Sequence, residues 1–222
     1  MNLIKVENVV KDYESGKETV HALNHVSLQV EQGEFIAVMG PSGSGKTTLL
    51  SILGGLNHPA AGRVIVDEIN LYSLSIERLA DFRREYVGFV FQSFQLIPYL
   101  TVLENAMLPL VVSGQRNGEQ SRKAMSILER VGLHDKAQRL PDELSGGEQE
   151  RAAIARALVN QPPLILADEP TGNLDTATSA EIMKLFTDLN HEGQTIIMVT
   201  HNPENLKYVE RCVHLRDGSL ID

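Results

Sequence analysis

The 222-residue sequence holds a single cysteine, Cys212. An intramolecular disulfide is therefore impossible, and a cysteine-based zinc site of the usual kind is excluded with it. That fits a reducing cytoplasm. Long hydrophobic runs are also lacking. Apolar stretches such as Leu164–Ala167 and Ile196–Val199 are far too short to cross a bilayer. Any membrane-spanning part is expected on another polypeptide. The opening Met1–Glu7 segment reads as a strand carrying charges, not as a signal peptide. Nor is there an excess of positive charge. A formal net charge of −9 argues against broad, sequence-independent nucleic-acid binding and gives no electrostatic reason to adhere to anionic lipid. Repeats, low-complexity segments and long linkers are absent.

What is present fits one α/β core with an insertion. Leu3–Val10 and Ser27–Val30 have strand character, and Glu34–Met39 is a short buried-type strand. It runs into a glycine-rich loop followed by a helix over Thr48–Leu53, which Gly54-Gly55 ends. Arg63–Ile69 and Val87–Phe91 are further strand candidates. From Thr101 to about Val159 the spacing turns helical, in Val102–Leu110, Ala124–Val131 and Ala152–Val159. A polar break is expected at Ser113–Gly118. The α/β pattern then resumes with a Leu164–Ala167 strand, a Thr176–Asn190 helix, a Thr195–Val199 strand and a closing Cys212–Leu215 strand before an Asp217-Gly218 turn. One domain over 1–222 is expected, with an α/β core at about 1–93 and 160–222 and a helical subdomain at about 94–159.

Two motifs carry phosphate chemistry. Gly40-Pro41-Ser42-Gly43-Ser44-Gly45-Lys46-Thr47 is a G-x-x-x-x-G-K-[ST] loop between a strand and a helix. Gly40, Gly43 and Gly45 are expected to permit positive φ and close approach of backbone N–H groups to phosphate. The helix that follows points its positive end at the same anion. Lys46 adds a point charge, and the Thr47 hydroxyl suits Mg²⁺. Asp168 and Glu169 end an apolar strand. A buried strand has no need of paired acids there, whereas a Mg·ATP crevice does: Asp168 for the metal through water, Glu169 to polarise the attacking water. Together these motifs indicate a P-loop ATPase or GTPase.

A third motif, Leu144-Ser145-Gly146-Gly147-Glu148, could be a helix start with Ser145 as N-cap and Glu148 closing a capping box. It also resembles the signature of ATP-binding-cassette (ABC) ATPases. The order of phosphate loop, glutamine loop, Leu-Ser-Gly-Gly, Asp-Glu and a lone histidine is that of the family over essentially the whole chain. The resemblance implies a RecA-like mixed sheet with an antiparallel β subdomain and an inserted helical subdomain. It implies that ATP and Mg²⁺ bind at Gly40, Ser42, Gly43, Ser44, Gly45, Lys46, Thr47 and Thr48, with Tyr13 stacking on adenine. Gln92 would join the metal shell with Thr47 and Asp168, and His201 would contact the γ-phosphate. Lys46, Gln92 and His201 would neutralise charge while Glu169 places the water. Ser145, Gly146 and Gly147 would touch the ATP held by a second copy, and Asn173-Leu174-Asp175 would cross the dimer interface. Glu148 replaces the glutamine most common at its place and adds negative charge near phosphates.

The resemblance further implies a homodimer on ATP binding and an integral membrane permease docking near Phe94–Tyr99. The chain would then lie at the cytoplasmic face of the inner (plasma) membrane. Tyr13-x-x-Gly16, Val20-His21-Ala22-Leu23 and Ala167–Asp175 look most like the lipoprotein-releasing and macrolide-exporter (LolD/MacB) branch. Since the sequence ends at Asp222 without a membrane segment, a free-standing subunit is expected over a fused one. An FtsE-like regulatory ATPase on a non-transporting membrane partner is the alternative. A DNA-associated ABC ATPase fits less well, because neither a long heptad insertion nor a zinc module is visible.

Overall fold

The computed structural model describes residues 2–16, 18–111 and 117–221. Two sheets divide the strands. The antiparallel sheet has the order β2 (Glu18–Glu31), β1 (Asn2–Ser15), β4 (Ala61–Val66), β5 (Ile69–Asn70). The central sheet has the order β10 (Ser219–Ile221), β9 (Arg211–Arg216), β3 (Phe35–Met39), β8 (Thr195–Thr200), β7 (Leu164–Asp168), β6 (Val87–Val90). Its pairs are parallel from β9 to β6, and only β10 runs antiparallel.

The central strands read as unbroken apolar runs because both their faces are covered. Phe35 and Ala37 of β3 belong to one hydrophobic core, whereas Ile36 and Val38 belong to another. The same alternation divides β7 and β8. One core packs the sheet against α3 (Val102–Val111), α4 (Asn117–Arg130), α5 (Gly146–Leu158) and α6 (Thr176–His191). The other packs it against α1 (Lys46–Leu53), α2 (Ile76–Tyr86) and the antiparallel sheet.

Three expectations need correction, and one helix was not expected. The helix after the glycine loop starts at Lys46, not Thr48. The Arg63–Ile69 segment is not one strand: Asp67 and Glu68, at φ 47° and 63°, turn the chain back between β4 and β5. The stretch from Ile76 to Tyr86, unassigned from sequence, is helix α2, capped by Ser75, whose side chain accepts from the Arg78 N–H. Of the polar break at Ser113–Gly118, residues 113–116 lie outside the described residues, and Asn117 and Gly118 already belong to α4.

Candidate nucleotide site

The parallel arrangement brings the carboxyl ends of β3, β7 and β8 together, and the loops leaving them carry the expected residues. After β3, Gly43 and Gly45 hold left-handed backbone at φ 78° and 102°. Gly40 does not. A Cβ there would overlap the Leu215 carbonyl oxygen of β9, so this glycine serves close packing and not the positive φ expected of it. Lys46 is buried, and its ammonium donates to the carbonyls of Gly40 and Pro41 at 2.8 and 2.9 Å. The Thr47 hydroxyl donates to Asp168 Oδ1 at 3.2 Å. Burial pushes the Asp168 carboxyl up, and the Thr47 bond partly offsets this.

Glu169 follows directly, at φ 50°. Its N–H donates to the Val199 carbonyl at 3.0 Å, and its carbonyl accepts from the Gly172 N–H at 2.9 Å. These bonds impose the left-handed turn that aims the side chain across to β8. There His201 Nδ1 lies 2.8 Å from both Glu169 carboxylate oxygens. The carboxylate is only 12% exposed while the imidazole is 64% exposed.

A cavity of about 680 Å³ fills the space in front of these groups. Tyr13, Val20 and Ala22 form one wall, the loop from Pro41 to Thr48 the floor, and Gln92, Glu169 and His201 the far side. Gly40, Ser44 and Asp168 do not line it. Ser44 is buried beneath the loop, and its hydroxyl has no hydrogen-bond partner among the described residues. The Tyr13 hydroxyl accepts from Asn57 Nδ2 at 2.5 Å, and the Lys11 ammonium lies 5.0 Å from the ring centroid. Val20, Ala22 and Asn57 were not assigned to the site from sequence. The strand alternation of Val20 and Ala22, with Val20 opposite Tyr13 in register, was the signal for two of them.

Glu169 and His201 also border a second cavity, of about 500 Å³, between the start of α6 and the turn around Asn205. Buried Asn205 closes its base by donating to the hydroxyls of Thr171 and Thr200 at 3.0 and 3.1 Å. The Gln92 loop is tied to the segment after Glu169, since Asn173 Nδ2 donates to the Gln92 carbonyl at 2.8 Å.

The Leu-Ser-Gly-Gly segment is a helix start of the kind expected. The Ser145 side chain accepts from the Glu148 N–H, and the Glu148 carboxylate accepts from the Ser145 N–H at 3.0 Å. The Glu148 charge is met within its own chain: Lys136 pairs with it and holds its carboxyl below the usual range, helped by the Ser145 backbone. Gly147 faces α6 so closely that a Cβ would overlap the Thr178 methyl, and Gly146 approaches Leu174. None of Ser145, Gly146 and Gly147 lines the cavity that holds the phosphate loop.

The model of the ABC transporter family matches residues 23–172. The chain belongs to this family. Among ABC relatives, YvrO of Bacillus subtilis, an ABC transporter ATP-binding protein, is 48% identical over 99% of this chain and 96% of its own. MJ0796 of Methanocaldococcus jannaschii is likewise 48% identical, over 98% of this chain and 95% of its own. Its solved dimeric cassette superimposes with a TM-score of 0.91 at 45% identity, covering 99% of this chain and 97% of that one. The macrolide export ATP-binding/permease protein MacB of Chlorobaculum tepidum is 46% identical over 99% of this chain, which spans 34% of that longer protein. The chain is thus an ABC transporter ATPase with the cassette fold, and ATP is its nucleotide.

The oxygen donors at the loop, Thr47 Oγ1 and Asp168 Oδ1, suit a hard cation. Among the described residues no group of three His, Cys, Asp or Glu side chains could hold a metal by itself.

Proposed function

We propose that two copies of this chain close around two Mg·ATP, each nucleotide lying between the phosphate loop of one copy and Ser145–Gly147 of the other. One observation carries this reading. Ser145–Gly147 stand at the start of α5, the end of a helix that favours an anion, yet they lie outside their own chain's phosphate-loop cavity. The solved dimer of MJ0796, and a second dimeric structure of it in a post-hydrolysis state bound to ADP and Pi, support the reading.

Magnesium, held by Thr47 and Gln92 and, through water, by Asp168, would neutralise phosphate charge. Lys46 exchanges its loop carbonyls for phosphate oxygens. Glu169 orients the attacking water and His201 keeps that carboxylate in place while facing the γ-phosphate position. Tyr13 supplies a flat face for the base. The helical subdomain at about 94–159 moves against the α/β core at about 1–93 and 160–222. The Phe94–Tyr99 loop, in which Tyr99 is 78% exposed, receives a membrane permease. No helix among the described residues is long and apolar enough to cross a membrane, so a peripheral position on the cytoplasmic face suits the chain. Similarity to MacB proteins supports transport of the macrolide-export kind.

The test is the solution mass of the Glu169→Gln protein with and without Mg·ATP. A dimer that forms only with ATP is the expected result, because the γ-phosphate bridge then persists. Adding Ser145→Arg should return it to monomer while ATP affinity stays within about twofold. A Glu169→Gln protein that binds ATP and stays monomeric on its own would overturn closure of two copies as the basis of the cycle.

A further inference from the structure

Glu150, one turn beyond the signature glycines on α5, is fully buried, and neither carboxyl oxygen has a hydrogen-bond partner among the described residues. Buried acids are seldom left this way, because the group loses water and gains nothing in return. Burial pushes its carboxyl up to about 9, and the Arg156 charge, six residues further along the helix, acts against this. Arg156 is occupied elsewhere. Its guanidinium donates to the carbonyl of Phe94 at 2.7 Å and to that of Gln95. These two residues come just after Gln92, and both hold left-handed backbone, at φ 58° and 53°. Residues with side chains adopt that conformation only where the surroundings impose it.

A strained loop, a guanidinium that holds the strain, and an acid without a partner thus lie on one path. We propose that Glu150 and Arg156 position Gln92: the guanidinium holds the Phe94 and Gln95 carbonyls in this conformation, and moves to the Glu150 carboxylate when nucleotide draws the Gln92 loop towards the cavity. The inference rests on the reading of Gln92 as a nucleotide contact. In the second position the loop relaxes, Glu150 ionises and releases its proton to water, and two neutral acceptors are replaced by a charge-assisted one. The half-buried guanidinium then has an acceptor in both states. Each arrangement leaves one group unsatisfied here, the loop backbone or the acid, so neither locks the cycle.

The sequence contains no tryptophan, so a Tyr99→Trp protein reports on this loop alone. Its fluorescence is followed as Mg·ATP is added, with Glu150 intact and with Glu150→Gln, and ATP binding is measured separately on both proteins. The expected result is a clear ATP-driven change with Glu150, reduced at least roughly threefold by Glu150→Gln, with ATP affinity unaltered within about twofold. Glu150→Met, which offers no acceptor, should reduce it further. An undiminished change in both variants, with ATP bound, would overturn the latch and leave the nucleotide site intact. Failure of the Glu150 protein to bind ATP would overturn the site reading itself, and the latch with it.

Discussion

The Glu150 carboxyl ties stability to pH in the direction opposite to most acids. Its folded value, about 9, stands above the ordinary 4.5, so the folded chain holds the proton more tightly than the unfolded one. The resulting cost is absent below about pH 4.5, grows as pH rises, and levels off above the folded value. Glu150→Gln is therefore expected to raise the thermal midpoint by a few degrees at pH 8 and leave it nearly unchanged at pH 5, as read by calorimetry. Equal midpoints at pH 8 would show that the carboxyl keeps a solvated route. The variant should thus be more stable and less responsive, a trade-off common at functional sites. Glu148, two residues earlier, has the opposite sign: Lys136 holds its carboxyl down, so its contribution is present above about pH 4.5 and is lost on acidification.

Residue identity was easiest to read where backbone geometry dictates spacing. Gly43, Gly45, Lys46 and Thr47 must follow one another because a single turn presents them all, so their order alone located the loop. The demand for glycine at position 40 comes from Leu215, far off in sequence, so the local pattern suggests a positive φ where close packing is the cause. Lys136 as the partner of Glu148 was equally hidden, since the two sit on separate elements and nothing local links them.

At the scale of elements, sequence reading failed where the local signal was weak. Helix α2 buries only Leu79 and Phe82 among its eleven residues, too few to mark a face. The β4–β5 turn places Asp67 and Glu68 in left-handed backbone, a task more often given to Asn-Gly, so the segment read as unbroken strand. Helices α5 and α6 show what the sequence could not reveal, which is contact between motifs. Asp175 caps α6, accepting from the N–H groups of Ala177 and Thr178, each at 3.0 Å, and from the Thr178 hydroxyl at 2.5 Å. That turns the Thr178 methyl onto Gly147. Gly147→Ala should therefore cost about 1–3 kcal/mol through overpacking and weaken ATP-driven dimerisation of the Glu169→Gln protein. Thr178→Ser, which removes the methyl and keeps the hydroxyl, should restore most of both in the double variant. Lack of rescue would place the damage in the nucleotide contact and not in the helix packing.

Across the whole molecule, the central sheet stands between two hydrophobic cores that have no side chain in common. Amide exchange should accordingly be slowest in β3, β7 and β8, and faster in α4 and β5, when followed by mass spectrometry under native conditions. Exchange of β3 as fast as that of α4 would contradict a sheet that anchors both layers. The same partition implies that heat does not dismantle the protein evenly. Water that enters among α3, α4 and α5 finds a wall of strand before it reaches the layer beneath the phosphate loop. A gently overheated sample should lose its grip on a second copy first, while each chain still holds its nucleotide.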